Sequence, residues 1–350
     1  MDFSKAFDKV CHSLLIHKLN YYGITGSLQT WIQSFLTDRR QAVVVEGSIS
    51  SFVPVDSGVP QGSVLGPTLF LLYINDLPTS LSSIARLFAD DTLAHKTISS
   101  TRDQEVLQED LDRLAEWEQT WMMSFHPDKC QALHITRKRV PQTMNYKLHG
   151  HTLVSTKEAK YLGVTITYNL TWCTHIANIT NKASRTLGFL RRNIKVGSKK
   201  IKNLAYVTLV RPLLEFASPV WDPYTAKDIA KLEAVQRRAA RWVSNRYRRS
   251  SSVSEMLHDL EWPTLQERRR RARLVTFYKY HSGDLAINCK TSPAPQARSS
   301  RSTHPAAYKV PTSRTQYRQN AFFPRTTRDW NGLPAEVALS PSLSMFKSKI

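Results

Sequence analysis

Three aspartates have the residue type and spacing for metal-assisted chemistry. Asp2 opens the string DFSKAFD, and Asp90 and Asp91 sit side by side in LFADDT. A divalent ion such as Mg²⁺ takes hard oxygen ligands. Two such ions, roughly 3.5–4 Å apart, can activate an attacking hydroxyl and stabilise the leaving oxygen of an in-line displacement. Carboxylates at one strand end and on a neighbouring hairpin turn would hold such a pair. Taken alone, Asp–Asp between apolar segments reads as an exposed turn, so the elements around it decide.

Those elements alternate between strand and helix in the first part of the chain. His12 to Thr37 predicts a helix broken around Gly23–Gly26, and Gln41 to Val55 a strand pair turning near Gly47–Ser48. Ser63 to Asp76 predicts a buried helix ended by Pro78. Ile84 to Ala94 is apolar on both sides of Asp90–Asp91 and predicts two short strands around an acidic turn. Thr101 with Gln104 fits a capping box, and Leu107, Leu111, Leu114 and Trp121 follow at helical spacing. Cys130–Thr136 and Tyr161–Thr167 are strand-like.

Beyond about residue 170 the pattern is helical. Ile176, Ile179, Ala183, Leu187, Leu190 and Ile194 step by three or four. Thr225 and Asp228 can cap a helix to Val243 with Ile229, Leu232, Val235, Ala239 and Trp242 as its apolar stripe. Lys227, Lys231, Arg238 and Arg241 fall together on the other side. A further helix starts at Thr264–Glu267 and carries Arg268, Arg269, Arg270 and Arg271. Ser292 to Gln319, rich in Ser, Pro and Arg, reads as an extended or flexible tail.

The charge is divided unevenly. Of a net +21, residues 1–150 contribute −2 and residues 151–350 contribute +23. Such an excess spread over 200 residues suits a polyanion better than a merely solvated surface does. At 350 residues the chain is long enough for two domains. No apolar run approaches the ~20 residues of a membrane span, and the start carries no signal-peptide pattern. Cys11, Cys130, Cys173 and Cys289 form no CxxC pair, so neither a zinc site nor a disulfide framework is indicated.

The motifs together resemble the reverse transcriptase palm, in family order. DFSKAFDKV at 2–10 looks like its first motif, SGVPQGSVLGP at 57–67 the second and FADD at 88–91 the third. HPDKC at 126–130 looks like the fourth, and YLGV at 161–164 like the fifth, the primer grip. LEFASPVWDPY at 214–224, LEAVQRRAARWV at 232–243 and FFPRTTRDWNGLP at 322–334 resemble the C-terminal region of jockey-like, non-LTR (LINE-type) retrotransposons. No C-terminal Cys/His zinc knuckle is visible.

The resemblance implies an α+β fold in three parts. Residues 1–170 would be a polymerase palm with an antiparallel sheet and packed helices, lacking fingers. Residues 171–285 would be a basic helical thumb and connection region, and 286–350 an extended tail bearing the C-terminal motif. Asp2, Asp90 and Asp91 match the carboxylates that hold two Mg²⁺ (or Mn²⁺) ions, and Lys129 matches a general acid toward pyrophosphate. Phe7 matches the gate beside the sugar, where a ring excludes a 2′-OH. Gly58, Gln61 and Gly62 match the nucleotide contact region, and Tyr161, Leu162 and Gly163 the turn supporting the primer. The basic set Lys227, Lys231, Arg238, Arg241 and Arg268–Arg271 would hold duplex phosphates. Each single residue has a bland alternative: Phe7 in a core, Lys129 and the basic set on solvated faces, YLG in a plain hairpin.

The implied partners are an RNA template, a DNA primer and deoxynucleoside triphosphates, with no membrane. A complete enzyme of the family has fingers before DFSKAFD, so this chain is expected to polymerise little or nothing alone. The alternatives are a non-catalytic nucleic-acid-binding remnant and a decayed reading frame.

Overall fold

The computed structural model describes residues 1–139, 143–195, 197–248, 250–285, 287, 293–295 and 304–350. The chain divides into two compact units: residues 1–163 with 167–170, and residues 164–166 with 171–350. Both helix and strand are present throughout the first unit, as the α+β expectation requires.

The first unit opens with α1 (His12–Tyr21) and α2 (Gly26–Leu36), separated at Gly23 where φ is positive. A ribbon follows. β1 (Arg40–Gln41) pairs antiparallel with β4 (Val53–Pro54), and β2 (Val44–Val45) with β3 (Ser48–Ile49), turning at Glu46–Gly47. Helix α3 (Leu65–Ile74) is apolar on nearly every side and buries Leu69, Phe70, Tyr73 and Ile74. β5 (Ile84–Phe88) and β6 (Asp91–His95) form the acidic hairpin, with Phe88 opposite Asp91.

Helix α4 (Thr101–Thr120) is capped one residue earlier than expected. Ser100 accepts from Asp103 N–H, and Asp103 returns the bond to the Ser100 N–H. Leu111, Leu114 and Trp117 carry its apolar face into the core. The rest of the unit is β7 (Gln131–Leu133), β8 (Lys147–Leu148), β9 (His151–Thr152), β10 (Val154–Thr156), β11 (Glu158–Tyr161) and the end of β12 (Val164–Thr167). β7 and β10 pair parallel, a departure from an all-antiparallel sheet.

The second unit is helical from α5 (Cys173–Asn193) onward. α6 (Lys199–Ala205) runs through a π-helical turn, Tyr206–Val210, into α7 (Arg211–Glu215). Pro212 has no N–H to give and its ring would strike the carbonyl four residues back, which the wider turn avoids. α8 (Ser218–Trp221), α9 (Ala226–Ser244), α10 (Val253–Asp259) and α11 (Leu265–His281) follow. Thr225 and Thr264 cap α9 and α11 through Asp228 N–H and Glu267 N–H, as the sequence predicts.

The C-terminal part corrects an expectation. Residues 304–350 are not an extended tail: α12 (Gln316–Gln319), α13 (Phe322–Asn331), α14 (Ala335–Ala338) and α15 (Leu343–Lys349) belong to a packed region. Trp330, Phe346 and Tyr308 form a core with Leu274, Phe277 and Tyr278 of α11. Aromatic burial outweighs the polar composition between them. Part of the stretch 286–303 lies outside the described residues. Among the described residues, no helix is long and apolar enough to cross a membrane.

Candidate active site

The Asp2 segment lies between two strands. On one side Met1 and Thr92 exchange backbone hydrogen bonds of 2.7 and 3.1 Å, and Asp2 bridges Asp91 antiparallel. On the other side Phe3 bridges Phe125, and the His126 N–H donates to the Asp2 carbonyl at 2.8 Å. Directly opposed residues of an antiparallel pair project from the same face, so the Asp2 and Asp91 carboxylates are neighbours. Phe3 takes the opposite face, buried against Phe125 at 4.1 Å between ring centres. Burial of Phe3 therefore fixes which way Asp2 points.

Asp90 is in the two-residue turn with Ala89, whose φ is +49°. Among the described residues, no three Asp, Glu, His or Cys side chains stand close enough to hold one metal ion. Backbone pairing brings Asp2 and Asp91 together, and Asp90 precedes Asp91 in the hairpin turn. The donor set fits a hard divalent ion, being carboxylate oxygen on one face of paired strands, with a third of the Asp2 side chain exposed.

Lys129 reaches this pair. It ends a single 3₁₀ turn, Pro127–Lys129, and its Nζ lies 3.3 Å from Asp2 Oδ2. Tyr161 is near as well. Burial and the negative charge of Asp91 hold its phenol above the usual range, with Arg86 opposing. The turn after it places Leu162 and Gly163 both at positive φ, +45° and +83°.

The glycine-rich loop is strapped to the residues after Asp2. Gly58 N–H donates to Val10 O and Val59 N–H to Phe7 O, both at 2.8 Å. Ser57 Oγ donates to Asp8 O at 2.8 Å, and His12 Nε2 bonds Gly58 O at 2.8 Å. A Cβ on Gly58 would lie 2.8 Å from Asp8 Cα, so only glycine permits the approach. Gln61 follows, exposed, its amide donating to Asp8 Oδ1 at 3.0 Å. Gly62 has φ +82° with open space around it. Phe7 stacks on Phe70 at 4.5 Å, half-buried, so one side of its ring is held and the rest is accessible.

The basic set divides. On α9, Lys227 and Arg238 are exposed, and Lys231 and Arg241 are half-buried. Lys231 pairs with Asp228 at 3.3 Å, and Arg238 reaches Ser184 Oγ at 2.8 Å. The run on α11 is a correction. Arg269 is fully buried and its Nε bonds Asp222 Oδ1 at 2.8 Å, so it cannot meet a duplex. Arg268 pairs with Glu215, while Arg270 and Arg271 pair with Glu267. Leu265 and Phe277 were the warning: Arg269 stands four residues after Leu265 and Arg273 four before Phe277, on the apolar side of the helix.

Sequence reasoning also missed residues that hold the site. Glu118 is buried, accepts the Phe125 N–H, and bonds His149 Nε2 at 2.6 Å. It thereby steadies the strand that flanks Asp2. Its signal was a carboxylate four residues after Leu114, in the apolar stripe of α4. Arg86, which shares the field at Tyr161, carried no signal beyond its place in β5.

The site thus consists of a hairpin carrying Asp90 and Asp91, a glycine-rich loop strapped to the segment after Asp2, and Lys129 at the Asp2 carboxylate. Residues 1–166 match the family described as reverse transcriptase (RNA-dependent DNA polymerase). Over 77% of its length the chain is 29% identical to the RNA-directed DNA polymerase from mobile element jockey of Drosophila melanogaster. It is 30% identical over 82% to the probable RNA-directed DNA polymerase from transposon BS of the same organism. A Drosophila funebris jockey polymerase is 29% identical over 80%. Residues 1–166 belong to the reverse transcriptase family, and most of the chain is similar to polymerases of non-LTR retrotransposons. The chain spans about a third of the length of these relatives, 30%, 33% and 31%.

Proposed function

We propose that the protein to which these residues belong is an RNA-directed DNA polymerase, extending a DNA primer on an RNA template from deoxynucleoside triphosphates. The pairing of Asp2 with Asp91, with Lys129 at the same carboxylate, carries this reading. Asp2 and Asp91, with Asp90 beside them, would hold two Mg²⁺ ions, for which Mn²⁺ can substitute. Bound there, such ions supply Lewis-acid activation of a primer 3′-hydroxyl and charge stabilisation for leaving pyrophosphate.

The chain's own residues do the rest. Lys129 bears a proton at Nζ beside Asp2 and is placed to give it to a departing phosphate oxygen. Phe7, braced on Phe70, presents a ring edge where a 2′-OH would clash. Gln61 and the Gly58–Gly62 backbone line the approach of the incoming nucleotide and template. Tyr161–Gly163 support the primer end. On this reading residues 1–170 are a palm, and 171–285 act as a thumb that holds duplex phosphates through Lys227, Lys231, Arg238, Arg241 and the outer arginines of α11.

Primer extension on poly(A) with an oligo(dT) primer and Mg²⁺ tests the reading. A longer protein carrying the relatives' upstream residues is expected to extend, its Asp91→Asn variant at least ~100-fold less, and the 350-residue chain little. Full activity in Asp91→Asn would remove the assignment. Binding of duplex by the chain itself should weaken steeply with salt. Duplex binding without any extension by the longer protein would favour the nucleic-acid-binding remnant.

A further inference from the structure

The second unit holds a charge imbalance that the polymerase reading leaves unused. Three guanidiniums converge on the one Asp222 carboxylate. Arg269 Nε and Arg273 Nε each bond it at 2.8 Å, and Arg325 Nη1 lies 3.3 Å away. Asp329 is in contact with Arg273 at 2.8 Å, and Glu267 pairs with Arg270 and Arg271. The connected set therefore has three guanidiniums, Arg269, Arg273 and Arg325, against two carboxylates, Asp222 and Asp329, and a separate group of Arg270 and Arg271 shares the one Glu267 carboxylate. Arg269 and Arg273 are almost wholly buried. Buried charge in excess of its partners is costly and calls for a counter-ion.

Two further observations locate that counter-ion. A cavity of about 260 Å³ opens beside the cluster, lined by Arg270, Arg273, Arg325 and Asp329 with Thr264, Gln266 and Glu267. At about 30 Å³ per water this is room for a polyatomic ion rather than a single solvent molecule. Asp329 Oδ2, on the cavity wall, is buried with no hydrogen-bond partner, and Arg269, which does not itself line the cavity, leaves Nη1 and Nη2 buried and unpartnered as well. The Asp329 oxygen is close to Arg273 but no N–H is aligned on it, so it is a buried acceptor without a donor. The α11 N-terminus is not the attraction, because its first N–H groups are taken by Glu233 and Thr264.

We propose that this cavity binds a phosphate group able to carry a proton: inorganic phosphate or a phosphate monoester such as a nucleic-acid chain end. Guanidiniums of Arg270, Arg273 and Arg325 would face its oxygens, and its P–OH would donate to Asp329. An internal phosphodiester and sulfate lack that proton at neutral pH and leave Asp329 facing a bare anion. The proposal goes beyond the polymerase reading and survives its failure, since binding here needs none of Asp2, Asp90 or Asp91.

The test is thermal melting of the full chain at pH 6.5 and fixed ionic strength, with phosphate or sulfate as titrant. Phosphate is expected to raise the midpoint and sulfate to do so much less. Arg270→Gln, a change at the cavity rim, should weaken the phosphate dependence about ten- to a hundredfold, the loss of one charged hydrogen bond. Asp329→Asn should erase the preference over sulfate. Competition by a short strand with a terminal phosphate, and not by its hydroxyl-ended twin, would name the chain end as the source. Competition by neither would name free phosphate, and both results support the site. Equal shifts by phosphate and sulfate, or an unchanged response in Arg270→Gln, would overturn it. So would stabilisation by polyglutamate where phosphate gives none, which would point to an acidic protein segment.

Discussion

The two units treat buried charge in opposite ways. In the first, each buried ion has its own partner. Lys18 bonds the Tyr73 carbonyl and Asp76 inside a cage of Tyr73, Trp117 and Trp121 rings, and Asp110 accepts the Ser82 and Ser83 N–H groups. The aspartates matched to chemistry stay partly exposed at strand ends. In the second unit one carboxylate serves several arginines. The first unit thus matches each buried charge to its own partner and leaves Asp2, Asp90 and Asp91 partly exposed. A unit rich in cations spends its few carboxylates inside, and its arginine count overstates the charge it can offer a polyanion.

Removing the shared carboxylate should give the largest effect. Asp222→Asn leaves Arg269 and Arg273 buried without an opposing charge, and breaking a buried pair this way costs about 3–5 kcal/mol. Lys18→Met, an apolar replacement in the first unit's cage, should cost markedly less, since Asp76 is about a third exposed and can recover water. Urea unfolding of both variants measures the contrast. Equal losses would break the distinction between shared and private partners.

A pair of glycines tests how tightly the loop is held to the Asp2 segment. Gly58→Ala combines a left-handed φ of +89° with a contact of 2.8 Å to Asp8 Cα. Gly62→Ala meets only the φ penalty, about 1–2 kcal/mol, because nothing lies near its Cβ. Gly58→Ala should exceed it by about 1–3 kcal/mol, the range of overpacking. The same denaturation midpoint for both would show that the Ser57–Val59 straps yield readily.

One buried group in each unit should also titrate with opposite sign to the other. Burial lowers the His175 pKa, its Nδ1 already accepting the Thr165 N–H. Below its ordinary 6.5 the unfolded chain binds a proton that the folded chain refuses. That stability is full above 6.5 and is lost as pH falls. Burial raises the Glu118 pKa against the opposing pull of the Phe125 N–H and His149. Its contribution is full below the ordinary 4.5 and is lost as pH rises through the raised value. Each slope is at most about 1.4 kcal/mol per pH unit. His175→Gln should flatten the first and Glu118→Gln the second in urea midpoints taken from pH 4 to 8. Slopes of like sign would contradict this.

What the sequence could show follows from range. Helix starts were visible at Thr225 and Thr264 because a cap and its N–H lie three residues apart. The hairpin of β5 and β6 was visible because its turn interrupts two apolar runs. The Ser100 cap was missed by one place, since Thr101 offers the same hydroxyl. Asp2 and Asp91 could be joined only by resemblance, being 89 positions apart along the chain and paired by backbone. The convergence of Arg269, Arg273 and Arg325 on Asp222 links segments 47 to 103 residues apart, and no local pattern carries that.

The smallest effect should come from Leu162, where fold and function make different demands. Its φ of +45° is a left-handed conformation that costs a leucine about 1–2 kcal/mol, and its side chain is exposed. A leucine neither buried nor in a favoured conformation contributes little to the fold. Asn tolerates that region better, so Leu162→Asn should stabilise the chain by about 0.5–1 kcal/mol. If the turn is a plain hairpin, nothing else changes. If it supports a primer, the longer protein carrying Leu162→Asn should need more primer for half-maximal extension while its melting midpoint rises. A rise in midpoint with unaltered primer dependence would return Tyr161–Gly163 to an ordinary turn. That result would leave the Asp2–Asp91 pair as it stands, because Asp91 touches the turn's neighbourhood through the field at Tyr161 and not through Leu162.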